Sequence, residues 1–369
     1  MSADVKGTGA AGAKGATGAV GAEITDWEGQ ARRRGRRQSA VIVGLGVLLV
    51  VVAFGATCMG RYAISLQDVL GVFASQFVDI DATWSAQTER MLLGVRLPRI
   101  LAAILVGAAL ALSGATYQGT FMNPLVSPDL LGVSSGACVG ASVAILMNLN
   151  GLGVQLFALG AGLLSVFITT RIPRLFKIRS NLMLVLSGVI VSGIMSSVQG
   201  FCKYMADPYD QLQSIVFWTM GSLSSVHMSD IAIVVVPMVV AGGVLIVLRW
   251  QINILSLGEH EAKTLGVSVR RVNAIAIVCS TVLTASAVCL CGTIGWVGLV
   301  IPHICRMLVG EDNRYLMPAT VLMGGVFMLL VDTLARCISS SEIPLSILTG
   351  IIGGPLFLLI MVKRGMKVG

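Results

Sequence analysis

Residues 96–136 read RLPRILAAILVGAALALSGATYQGTFMNPLVSPDLLGVSSG. Two arginines bracket Leu97 and Pro98, and an apolar run rich in small residues follows for about one bilayer thickness. The run breaks at Asn123-Pro124 and Pro128-Asp129, then restarts with Gly132, Gly136 and Gly140 at a spacing of four. A soluble core helix does not need that length. A simple membrane anchor does not need those small residues and breaks. The stretch predicts a helical hairpin that packs tightly on other helices and turns on a short polar loop. Gly132, Gly136 and Gly140, and likewise Gly350 with Gly354, have the small-xxx-small spacing that lets helices approach closely. Helix packing is their expected role, within the subunit and, in addition to that, at a subunit interface.

The rest of the chain fits that reading. Of its 369 residues, 55% are hydrophobic and 12% charged, and the mean hydropathy is +0.87. Soluble domains carry about 25% charged residues. The deficit, with repeated apolar runs near membrane length, predicts an all-α membrane protein, a polytopic bundle of about ten transmembrane helices. A barrel would show short alternating segments instead. The expected spans are 39–60, 96–119, 130–149, 152–171, 182–204, 230–249, 271–291, 294–310, 315–336 and 343–362. Gly295, Gly298 and Pro302 interrupt the eighth, and such breaks need protein or a water-filled cavity to cover the freed backbone groups. The eight cysteines are scattered without zinc-site spacing and read as small apolar packers.

Residues 1–38 differ in composition. Up to Ala22 they are nearly all Gly, Ala, Thr, Val and Lys, so a disordered cytoplasmic tail is expected ahead of a permease domain at 39–369. Arg32, Arg33, Arg34, Arg36 and Arg37 precede the first span, where a cytoplasmic anchor explains them better than nucleic acid does. With the N-terminus inside, the alternating map puts 20 of the 26 basic residues in inside segments, which supports an even number of spans and both termini in the cytoplasm. The net charge of +8 is then mostly a topology signal.

Three features carry candidate function. The polar interruption at about 253–269, NILSLGEHEAKTLGVSV, faces the cytoplasm on this map. Ser256 and Glu259 have capping-box spacing, and Gly266 suits the end of a short helix. Such a helix is either a connector or a docking element. Arg96, Arg99 and Arg336 sit at the outer face against the usual charge bias. They serve either snorkelling and structural ion pairing, with Asp332 and Arg336 at i,i+4 spacing, or docking of an acidic external partner. Asp332 and His303 are ionisable groups at membrane depth, but no second buried acid or base follows at helical spacing to relay a proton.

Together these residues resemble a known family, the membrane permeases of ATP-driven importers for iron–siderophore complexes, haem and vitamin B12. The resemblance rests on RLPR at 96–99, VGAALALSGATYQ at 106–118, NPL at 123–125 and PDLLGVSSGA at 128–137. It rests further on LSLGEHEAKTLGV at 255–267, GTIGWVGLVIPHICRMLVG at 292–310, DTLAR at 332–336, and the run from Glu342-Ile343-Pro344 to Gly354-Pro355-Leu356-Phe357. It covers about residues 40–365. It implies the permease fold of type II ABC importers, in the cytoplasmic (inner) membrane, working as a pair, commonly a homodimer. It implies two ATPase subunits that use ATP and magnesium, an external substrate-binding protein, and no cofactor held by this chain. Leu257, Gly258, Glu259, Glu261, Ala262, Leu265 and Gly266 would form the ATPase-coupling segment. Arg96, Arg99 and Arg336 would meet acidic residues of the binding protein. The fifth and tenth spans would line the pathway, with Ser180, Asn181 and Leu182 near the inner gate. The implied substrate is an iron chelate of siderophore type, with vitamin B12 or haem as alternatives. An ion-driven secondary transporter, an intramembrane enzyme or a sensor would need buried acids, paired catalytic residues or a signalling domain that the sequence does not offer.

Overall fold

The computed structural model describes residues 9–60, 62–76, 78, 84–176, 181–339 and 342–363. In chain order the helices are α1 (Gly9–Cys58), α2 (Leu66–Ser75), α3 (Ala86–Met91), α4 (Leu97–Thr120), α5 (Val133–Leu146), α6 (Gly151–Leu175) and α7 (Asn181–Met205). They continue as α8 (Gln211–Met220), α9 (Met228–Leu255), α10 (Glu259–Thr264), α11 (Val269–Cys291), α12 (Val297–Val309), α13 (Asn313–Ile338) and α14 (Leu345–Lys363). Among the described residues, eight helical stretches are long and apolar enough to cross a membrane. The third and eighth expected spans are shorter, as α5 and α12 have only 14 and 13 residues.

Both short helices follow broken entries, and the freed backbone groups find partners. Ahead of α5, Gln118 Nε2 donates to the Val126 carbonyl (3.2 Å). Ser165 Oγ and Thr169 Oγ1 donate to the carbonyls of Gly132 (2.8 Å) and Leu131 (3.0 Å). Ahead of α12, the Ser222 amide donates to the Cys291 carbonyl (2.8 Å), and Thr293 Oγ1 donates to the Thr219 carbonyl. Irregular backbone at membrane depth is tolerable only with such partners.

Helix α4 is the hub, packed along α13, α11, α12 and α9. Its sequence explains why: Ala102, Ala103, Gly107, Ala109, Ala111, Ser113, Gly114 and Ala115 put small side chains all round the helix, and all are buried. A Cβ on Gly107 would lie 2.1 Å from the Gly324 carbonyl oxygen of α13. One on Gly114 would lie 1.8 Å from that of Gly298 in α12. Ser113 Oγ adds polar contacts to α11, through the Ser280 carbonyl (3.1 Å) and Thr284 Oγ1 (2.9 Å). By contrast α1 and α7 show most of their apolar surface to the outside.

Several expectations change. The helix α1 runs back to Gly9, through much of the segment expected to be a disordered tail. From Trp27 to Gln38 that segment is rich in Glu, Gln, Ala and Arg, which are strong helix formers. At Gly136 and Gly140 a Cβ would lie 2.6 and 2.1 Å from the Ala161 and Phe157 carbonyl oxygens of α6. Gly132 takes a left-handed conformation (φ +80°) at the turn into α5, where a Cβ would lie 3.0 Å from Ser165 Oγ of α6 and Ser192 Oγ of α7. Gly350 and Gly354 meet no backbone. A Cβ on either would meet only the Trp296 ring, at 3.8 and 3.6 Å, while one on neighbouring Gly353 would lie 2.7 Å from Trp296 Cβ. The indole fills the space that a second helix would need.

Gly114→Ala should force α4 away from α12 and cost about 1–3 kcal/mol, as overpacking does. The check is thermal unfolding in detergent, where Gly114→Ala melts well below wild type. Gly46→Ala, with open space around it, should melt close to wild type.

Candidate functional site

At the bundle end opposite α10, Arg96, Arg99 and Arg336 converge, but not on an open surface. All three are buried. Arg99 Nε lies 2.9 Å from Asp332 Oδ1, and its Nη1 lies 2.7 Å from Glu342 Oε1. Arg336 Nε lies 3.2 Å from Asp332 Oδ2, the i,i+4 pair expected from the sequence. Arg96 donates to the carbonyls of Thr57 and Tyr62, and Arg336 Nη1 reaches the Met59 carbonyl (3.5 Å). These carbonyls belong to the last turn of α1 and the residues after it, where a helix leaves acceptors unsatisfied and concentrates negative potential. The cluster therefore ties the end of α1 to α4, α13 and the entry of α14. Asp332 is fully buried, while the Glu342 side chain is 34% exposed. The arginines read as a docking surface are thus engaged inside the protein, and Glu342 is the cluster's most exposed member.

At the other end, α10 stands between α9 and α11. The expected capping box is absent: Gly258 caps α10 with no side-chain bond, and Ser256 Oγ donates to the Asn253 carbonyl at the end of α9 (2.6 Å). The physical reason is the Gly258 backbone (φ +123°), which turns the chain between Ser256 and Glu259. The C-terminus of α10 follows expectation. Gly266 is left-handed (φ +76°), its amide donates to the Lys263 carbonyl (3.0 Å), and the Val267 amide donates to the Ala262 carbonyl (2.9 Å). This paired bond pattern is a Schellman motif. Ala262 and Val267 are buried against the bundle, whereas Leu257 and Leu265 are 63% and 57% exposed. Glu261 is exposed.

A polar clasp links this segment to α13. Asn253 Nδ2 donates to Asp312 Oδ1 (3.2 Å), and the Asn313 amide donates to Asn253 Oδ1 (3.1 Å). Asp312 also holds Arg314 through several hydrogen bonds. Burial raises the Asp312 pKa, but the Arg314 hydrogen bonds and charge outweigh it and leave the carboxyl below its ordinary value.

Of the expected gate residues, Ser180 lies outside the described residues, Asn181 opens α7, and Leu182 is 77% exposed. Farther along α7, Gly193, Ser196, Ser197 and Gly200 are exposed at helical spacing, a row the sequence reading did not single out. His303 packs its ring edge-on against Phe357 (5.3 Å) with Nδ1 2.9 Å from the Leu299 carbonyl oxygen of its own helix. Gln118 and Arg306 pair across α4 and α12 at 2.7 Å. That pair escaped sequence reading, although a glutamine inside an apolar run was its signal.

The helical bundle, its inward-turned breaks and its exposed linker helix define a polytopic membrane protein. The profile of the FecCD transport family matches residues 48–363, and the chain belongs to that family. It is 41% identical to the molybdate import system permease MolB of Haemophilus influenzae over 88% of this chain and 96% of that protein. It is 36% identical to the hemin transport permease HmuU of Yersinia pestis over 91% and 99%. Among solved structures, one described as an inward-facing metal-chelate-type ABC transporter superposes with a TM-score of 0.79. The two are 40% identical, over 88% of this chain and 99% of that one.

Removing Asp332 would leave Arg336 buried without a carboxylate and Arg99 with only Glu342, and breaking a buried ion pair typically costs about 3–5 kcal/mol. Asp332→Ala should therefore yield little folded protein, measured by size exclusion in detergent. Glu342→Gln, at a partly exposed site, should fold with a small loss of melting temperature.

Proposed function

We propose that this chain is the permease subunit of an ATP-binding-cassette importer that carries a metal chelate across the cytoplasmic membrane, an iron chelate of siderophore type in the first instance. The observation that carries the reading is α10. It is a six-residue helix held to the bundle by buried Ala262 and Val267, yet it presents Leu257 and Leu265 outward. Two exposed leucines beside an exposed acid suit a protein partner better than water. The partner is an ATPase subunit, one for each copy of a permease pair, and the coupling residues are Leu257, Gly258, Glu259, Glu261, Ala262, Leu265 and Gly266. ATP and magnesium are used there, and not on this chain.

The bundle is taken as ten spans, with α5 and α12 as the two short ones and both termini in the cytoplasm. Two copies face each other along α7 and α14. The exposed row Gly193, Ser196, Ser197 and Gly200 on α7 supports this, because small and hydroxyl side chains give a wettable wall. Asn181 and Leu182, with Ser180, stand at the cytoplasmic mouth. Closure of the ATPases moves α10, and the Asn253–Asp312 clasp passes that displacement to α13 and so to the α4 hub.

A substrate-binding protein delivers the chelate from outside. Arg96, Arg99 and Arg336 remain the attachment proposed for it, with a limit set by their burial. Three guanidinium groups face two carboxylates, so the cluster keeps one positive charge to attract an acidic partner at long range. Direct contact falls to its partly exposed rim at Glu342.

A second substrate reading has its own support. The Haemophilus relative is named for molybdate, whereas the Yersinia relative is named for hemin, an iron complex. Uptake of radiolabelled ferric siderophore, haemin, cobalamin and molybdate in a strain deleted for this permease separates them. Loss of ferric siderophore uptake supports the first reading, and loss confined to molybdate replaces it. For coupling, Glu259→Lys with Glu261→Lys should weaken ATPase capture. A loss of only about 1.4 kcal/mol lowers that affinity about tenfold. Uptake per ATP hydrolysed should drop in proteoliposomes. An unchanged ratio removes α10 from the coupling role.

A further inference from the structure

A shallow cavity, open over most of its face, lies at the α10 end of the bundle. Arg32, Gly35, Arg36 and Ser39 of α1 line it, with Tyr315 of α13. Arg32 and Arg36 are one helical turn apart, and Ser39 follows on the same face. Among the described side chains neither arginine makes an ion pair. The Tyr315 hydroxyl lies 3.3 Å from where a Cβ on Gly35 would be, so the glycine is what lets that hydroxyl reach the wall of α1. Gln38 donates to the Val309 carbonyl and holds α1 at this height against α12.

The stripe through Arg32, Arg36 and Ser39 does not end at the cavity. At the same helical spacing it continues through Val43, Val47, Val50 and Phe54, which are 66%, 59%, 59% and 43% exposed. One face of α1 thus presents two guanidinium forks and a hydroxyl, then an uninterrupted apolar row. Guanidinium forks and hydroxyls match the oxygens of a phosphodiester. The apolar row matches what a phosphodiester has attached in a membrane. A free phosphate or nucleotide would have no use for it.

We propose that this cavity binds the headgroup of an anionic phospholipid, with the acyl chains lying along Val43, Val47 and Val50. The proposal rests on the orientation given above only for the choice of leaflet, because the geometry of the site is independent of it. A basic pocket between helices at the membrane border is a physically reasonable headgroup site.

The test is native mass spectrometry of the full-length chain in detergent with phosphatidylglycerol or phosphatidylcholine added. This readout needs neither transport nor a partner, so its failure is distinct from a failure of the importer reading. Wild type should retain phosphatidylglycerol over phosphatidylcholine. Arg32→Gln with Arg36→Gln removes both guanidinium forks that face the phosphate and should lower that retention about tenfold. Arg33→Gln with Arg37→Gln removes the same charge outside the cavity and should change it little. Equal loss in both double variants, or loss in neither, overturns the site. Displacement of the lipid by millimolar inorganic phosphate overturns the lipid assignment in favour of a soluble anion. As a second readout on the wild-type chain, a photoactivatable phosphatidylglycerol should crosslink to residues 32–50, and crosslinks confined to other helices overturn the proposal.

Discussion

The contact of α4 with α12 and α13 is the constraint on which the rest depends. At Gly107–Gly324 and Gly114–Gly298 the backbones meet with no room for a single methyl group. In a bilayer, apolar side chains gain little by leaving lipid for protein, so close packing must supply the attraction that water supplies in a soluble core. Backbone-to-backbone approach is the densest packing a helix can offer. Once α4 is fixed there, α11 is held by the Ser113 and Thr284 hydroxyls, and Pro128 of the broken entry to α5 is pressed against Gly298.

The buried arginines follow from the same hub. Arg99 stands at the start of α4 and Asp332 near the end of α13, so the α4–α13 packing brings them together at 2.9 Å. A lone pair at that depth would be expensive to desolvate. Here the remaining guanidinium donors go to carbonyls at the end of α1 and to Glu342, which turns a desolvation cost into a joint among four elements. That joint makes this end of the bundle rigid, and α10 lies at the opposite end.

Sequence alone revealed the class of fold, because length and hydrophobicity are properties of single segments. It also revealed the end of α10, because Gly266 needs only its own backbone to be understood. The Asp332–Arg336 pair was legible for the same reason, as both residues share one helix. What escaped was relational. Arg99 looked available because its partners lie 233 and 243 residues away. The important glycines were taken to be those repeating at four, whereas Gly107, Gly114, Gly298 and Gly324 matter through partners on other helices. Gly350 and Gly354 fit the pattern, but Trp296 occupies the space in front of them. The capping box at Ser256 failed because Gly258 lies within it and turns the chain before the helix begins.

The C-terminal end of α9 joins the short linker helix to the rest of the bundle. At its last turns, Asn253 holds Asp312 and Asn313, so the start of α13 is bound to the element that leads into α10. Asp312 is at once the N-cap of α13, the partner of Arg314 and the acceptor from Asn253. A residue with three duties cannot release one without disturbing the others. The segment leading into α10 is therefore tied to α13, and α13 is packed backbone to backbone on α4. The same glycines that make the bundle compact also leave α4 and α13 no slack to slide apart at their contact.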